Sequence, residues 1–131
     1  MILINKGEVN TVVLTLSERT TITDACYLFE FIKDGSIGSI KYFIANDTSS
    51  NKLRYNQFNI EENSIEDVLG GVISLDAADY KYTVYEQENG SSNLDPTGLN
   101  IVEFGRVQVK QVQTDLAEFN SQQTIIKEFN G

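Results

Sequence analysis

The chain has 131 residues, with 19 acidic against 10 basic side chains and no histidine, giving a formal charge of -9 and a pI near 4.3. That balance repels phosphate backbones and the basic residues are scattered, so nucleic acid is excluded as a partner. No run approaches the roughly 20 apolar residues of a membrane-spanning helix, and the single cysteine, Cys26, excludes an intrachain disulfide and a cysteine-rich zinc site.

One compact domain fits this length, and the six Tyr and seven Phe, with a hydrophobic content of 40% and one proline, favour strands. In chain order, residues 2–4 predict a short edge strand before the turn at Gly7. Residues 11–16 alternate with Val12, Leu14 and Leu16 on one face, the period of a half-buried strand. Residues 27–32 set Tyr27, Phe29 and Phe31 against Leu28, Glu30 and Ile32, and Asp34-Gly35 follows as a turn signal. Residues 39–45 place Ile40, Tyr42 and Ile44 on the core face, with Phe43 outward. After the polar loop at 46–51, residues 55–61 carry Phe58 and Ile60 inward. A weak capping pattern at Ser64 to Asp67 predicts one helical turn, ended by Gly70-Gly71.

The densest signal is Asp76-Ala77-Ala78-Asp79-Tyr80-Lys81-Tyr82, which reads as Asp-x-Ala-x-Tyr-x-Tyr. This is the corner-and-strand pattern of an immunoglobulin-like sandwich with its cysteine replaced: Tyr80 ties its hydroxyl back to the backbone at the corner, and Tyr82 points between the sheets. Strands at 72–75 and 80–86 flank the corner, and residues 89–98 form the clearest exposed loop. Val102 and Phe104 have opposite parity to Val107 and Val109, which predicts a bulge at Gly105 that returns all four to the core. The fold expected is all-β, an immunoglobulin-like antiparallel β-sandwich of seven or eight strands without disulfide over residues 1–112, followed by an extended C-terminal arm over 113–131. The short Asp34-Gly35 connection favours direct pairing of its flanking strands, where the standard fold separates the corresponding ones, so strand order stays open.

Signals for chemistry are sparse. Without histidine there is neither an imidazole triad nor an imidazole metal site. Glu61, Glu62, Glu66 and Asp67 lack the spacing of a calcium loop or of a catalytic carboxylate pair, and read as a solvated acidic loop. Cys26 reads as a buried structural thiol. No catalytic, cofactor-binding or metal residues are assigned, and the chain reads as a non-enzyme. Phe43, Tyr55 and Tyr85 are the candidates for an exposed aromatic patch. In the arm, Ile125, Ile126 and Phe129 follow a polar spacer and are candidate partner-binding residues, suited to adding a strand at an exposed sheet edge.

The ordered segments Asn5-Lys6-Gly7, Thr11-Val12-Val13-Leu14-Thr15-Leu16, Tyr27-Leu28-Phe29-Glu30-Phe31, Arg54-Tyr55-Asn56-Gln57-Phe58, Tyr82-Thr83-Val84-Tyr85-Glu86-Gln87 and Asn93-Leu94-Asp95-Pro96 together resemble a family of small virion proteins of tailed bacteriophages that infect gut Bacteroidetes, including crAss-like phages. The resemblance covers about residues 2–112, and the ending Lys127-Glu128-Phe129-Asn130-Gly131 is similar to short apolar endings in that family. It implies a structural protein on the outer surface of the particle, an auxiliary capsid protein or a head-fibre attachment module, with phage capsid or fibre proteins as partners. A homo-oligomer and a host-surface glycan are further partners it admits. The alternatives are a carbohydrate-binding module and a tail or baseplate adaptor. The N-terminus lacks the basic and apolar regions of a secretory signal, so synthesis and use in the host cytoplasm before assembly is expected.

Overall fold

The alternating segments become two packed sheets in the computed structural model, which describes residues 1–35 and 39–111. The strands are β1 (Ile2–Asn5), β2 (Val9–Leu14), β3 (Cys26–Lys33), β4 (Ile40–Ala45), β5 (Asn56–Glu62), β6 (Val72–Ile73), β7 (Asp79–Gln87) and β8 (Asn100–Lys110), with no helix among the described residues. One sheet has the order β1-β8-β7-β3-β4 and the other β2-β5-β6. The short turn at Asp34-Gly35 does pair β3 directly with β4, Phe29 standing opposite Phe43. The fold is therefore all-β and sandwich-like, with a single cysteine and no disulfide.

The strands are not uniformly antiparallel as expected. β1 runs parallel to β8, and β6 parallel to β5. Neither pair is joined by a hairpin, so no tight turn imposes an antiparallel direction: β1 crosses to the other sheet through the turn at Gly7 (φ 78°) and meets β8 only as an edge addition.

Aromatic rings close the space between the sheets. Phe29 stacks on Phe43 with centroids 5.0 Å apart, and Phe58 from the opposing sheet meets Phe29 edge-on at 5.0 Å. All three are fully buried, each contributing about 1.5–3 kcal/mol of apolar transfer. This reverses the expected parity of β4. Phe43 fills the core and Tyr42 faces outward, because the register against β3 sets Phe43 opposite the inward Phe29 and Tyr42 opposite Glu30.

Two further expectations fail locally. The irregularity in β8 lies at Val102, where the β7 pairing slips between Val84 and Tyr85, and not at Gly105. Gly105 sits on the core face because Tyr82 lies over it: a Cβ there would come within 2.8 Å of the tyrosine ring. Phe104 consequently points outward, 69% exposed. Residues 64–71 form no helical turn. The N–H groups of Gly70 and Val72 both donate to the Asp67 carbonyl (2.9 and 3.0 Å), making a tight reversal that leads directly into β6.

Candidate functional site

The residues of the Asp-x-Ala-x-Tyr-x-Tyr pattern come together at the entry to β7. The Tyr80 hydroxyl accepts from the Asp76 N–H and donates to the Asp76 carbonyl (3.0 and 3.2 Å), so the side chain locks the backbone four residues upstream. The exposed Asp76 carboxylate pairs with Lys33 Nζ at 3.0 Å, and Lys33 holds its carboxyl below the usual range. Ala78 packs on the core, and its carbonyl accepts from Val109 N–H (2.9 Å). Tyr82 is buried with its hydroxyl donating to Glu103 at 3.3 Å. These four residues build the fold; the surface features lie elsewhere.

The outward face of the five-stranded sheet is the most distinctive surface. Registers across four strands align Tyr42, Glu30, Thr83 and Phe104 in one row, and Ile44, Leu28, Tyr85 and Ile101 in the next. Glu30 accepts hydrogen bonds from both Tyr42 (3.0 Å) and Tyr85 (3.4 Å). Partial burial, then the Glu30 carboxylate, raise the pKa of both phenols, which keeps them neutral donors. The connection after β7 folds back over one end of this face, pinned by Gln87 to Ser91 and Asn93. At the β8 side, Ile101 and Phe104 are 55% and 69% exposed. This arrangement is suited to non-covalent recognition, with a rigid hydrocarbon rim beside a hydrogen-bonded carboxylate.

The expected aromatic patch is thus partly relocated. Tyr85 does face outward, Tyr55 is half-buried on a loop with its hydroxyl on Ser50, and Phe43 is replaced by Tyr42. No sequence signal marked Phe104 or Ile101, because only the slip at Val102 decides their side. The acidic stretch is not uniformly solvated: Glu62 is buried and accepts from the N–H groups of Gly7 and Leu75 (2.9 and 3.0 Å), serving as an internal clamp. Glu66 accepts from Ser74 N–H and Lys41, which together lower its pKa. Among the described residues no group of three or more acidic or thiol ligands converges as a metal site. Cys26 is half-buried, not buried, with its thiol donating to the Glu88 carbonyl at 3.1 Å. Ile125, Ile126 and Phe129, and the whole of 113–131, lie outside the described residues.

No protein family, curated protein or solved structure matches the chain.

Proposed function

We propose that this chain is an immunoglobulin-like sandwich acting as a non-catalytic assembly module on the outer surface of a tailed-phage particle, as an auxiliary capsid protein or a head-fibre attachment. Two features support the immunoglobulin-like reading: the strand order β1-β8-β7-β3-β4 facing β2-β5-β6, and the Tyr80 hydroxyl tied to Asp76 at the entry to β7. The phage assignment rests on the sequence resemblance over residues 2–112.

The observation that carries the assembly role is the outward face of the five-stranded sheet, where Phe104 and Ile101 remain exposed beside the Tyr42–Glu30–Tyr85 cluster. Large apolar groups held rigidly on adjacent rungs, with hydrogen-bonding groups beside them, are the composition of a protein interface core. The partner is a capsid or fibre protein. Ile125, Ile126 and Phe129 supply a second contact with it.

The test uses purified particles lacking this protein, incubated with the full chain or with its Phe104→Ser/Ile101→Ser variant. Stoichiometric attachment of the parent and its loss in a variant of unchanged melting temperature are expected. Failure of the parent to attach overturns the virion role; equal attachment of the variant overturns the docking face.

A further inference from the structure

Beyond assembly, we propose that the cleft between the loops at one end of the sandwich is a binding site for a neutral oligosaccharide. The cleft encloses about 560 Å³, within the roughly 300–1,000 Å³ range of small-molecule sites. It lies where β2, β4 and β7 end and β3, β5 and β8 begin. Its walls come from the connections at 15–25 and 46–55, with Asn89 from a third.

Buried polar groups hold these walls in place. Glu86, 1% exposed, accepts from the Thr21 N–H, the Thr21 hydroxyl, the Ile22 N–H and Asn100 Nδ2, fastening the first loop to β7. Asn56, 2% exposed, accepts from the Leu16 N–H and donates to Asp47 Oδ2 at 2.7 Å, joining the first loop to the second. Asp47 also takes the Ser49 and Gln57 N–H groups, and Tyr27 shares a hydroxyl contact with Thr20 at 2.9 Å. Burying a carboxylate and an amide is unfavourable unless every bond is made, and here the bonds made are those that fix the loop ends. A site fixed before its ligand arrives avoids the ordering cost of binding.

On the lip of that rigid frame, Thr23, Asp24, Asn46, Lys52 and Asn89 face the cleft, and none makes a side-chain hydrogen bond to the described residues. Asp24 is also the one non-glycine described residue at positive φ (53°), the kind of local strain that collects at ligand sites. Ile22, Ala25 and Leu53 add apolar surface between these groups.

The chemistry selects the ligand class. Amide and hydroxyl side chains that both donate and accept match the vicinal hydroxyls of a sugar, and the apolar residues match its C–H faces. Asp24 and Asp47 repel an anionic ligand, and Lys52 alone does not provide a phosphate cradle. The site differs from an aromatic platform on a sheet face, and neither Phe104 nor Ile101 lines it.

The experiment titrates the ¹⁵N-labelled full chain with neutral oligosaccharides of hexose, deoxyhexose and N-acetylhexosamine units, with sialylated and sulfated comparators. Saturable amide shifts confined to residues 20–26, 46–54 and 88–90 are expected with at least one neutral sugar below about 5 mM. Asn46→Ala and Asp24→Gly, the latter chosen because glycine accepts φ 53° freely, should each weaken binding about tenfold or more without changing the melting temperature. Phe104→Ser/Ile101→Ser should bind as the parent does. The proposal is overturned if no sugar gives saturable shifts, if only the anionic comparators bind, if shifts fall on the sheet face, or if both cleft variants bind unchanged. Particle attachment is scored separately, so loss of one function leaves the other readable.

Discussion

The hydroxyl of Tyr80 makes two bonds to one residue, accepting from the Asp76 N–H and donating to its carbonyl at 3.0 and 3.2 Å. The ring is buried against Phe31, centroids 6.2 Å apart, so the hydroxyl joins the core to the chain reversal before β7. Tyr80→Phe keeps the ring and removes both bonds. Its expected cost is about 1 kcal/mol, because the Asp76 backbone lies near solvent and water takes over. A urea denaturation midpoint indistinguishable from the parent would show the corner to be incidental.

Tyr82 and Gly105 form the second such pair. A methyl at position 105 would lie 2.8 Å from Tyr82 Cε1 and 3.1 Å from its hydroxyl oxygen, and the Tyr82 ring is buried in the core. Gly105→Ala should therefore cost about 1–3 kcal/mol by overpacking, and Tyr82→Ala about 3 kcal/mol or more by leaving a cavity. In the double variant the methyl enters that cavity, so the combined loss should be smaller than additive. Strict additivity in urea melts is the result that contradicts this packing.

Strand positions were legible because one face of each strand is buried, and period-two alternation records that directly: Val12, Phe29, Phe58 and Val84 all fall where their spacing puts them. The corner was legible because its bonds are local, spanning only residues 76–80. Parity failed where both faces are apolar. Residues 40–45 alternate equally well in either phase, and only the cross-strand pairing of Phe43 with Phe29 decides. Phe104 was misplaced for a related reason, since a slip at Val102 and a bulge at Gly105 leave similar patterns in sequence. Glu62, Glu86 and Asn56 were illegible as clamps because their partners lie 9 to 65 residues away. The cleft is made by those distant partners, so nothing local announced it.

The buried Glu86 carboxylate gives acid stability a specific source. Burial pushes its pKa up, but the donors from Thr21, Ile22 and Asn100 outweigh burial and leave it below the ordinary glutamate value. A depressed folded value means the clamp's contribution is complete above the unfolded value of about 4.3 and is lost as pH falls through the folded one. Glu86→Gln should be less stable than the parent at pH 7, with the gap narrowing between pH 5 and pH 3. Comparing the two proteins cancels the other carboxylates with lowered values, Glu66, Asp76 and Asp95. Urea midpoints that stay equally separated across this range would remove Glu86 from the acid response.

At the alkaline end the most strongly shifted phenol is Tyr82, with Tyr27, Tyr42, Tyr80 and Tyr85 raised as well. Burial first, then the neighbouring Glu103 carboxylate, push the Tyr82 phenol up to about 12, against an ordinary value of about 10. The fold therefore favours the protonated phenol. The stability this provides is complete below pH 10 and is lost as pH rises through the folded value, because ionisation of the unfolded chain increasingly favours unfolding. Tyr55 behaves oppositely: hydrogen bonds from Ser50 and Ser49 lower its value at the surface, so its ionisation does not require opening the core. Absorbance at 295 nm should rise in stages, with Tyr55→Phe removing the earliest phenolate and Tyr82→Phe the latest. Tyr82→Phe should also flatten the fall in stability above pH 10, measured by urea melts at pH 9, 10 and 11. An unchanged fall in that variant would mean that other groups drive the alkaline transition.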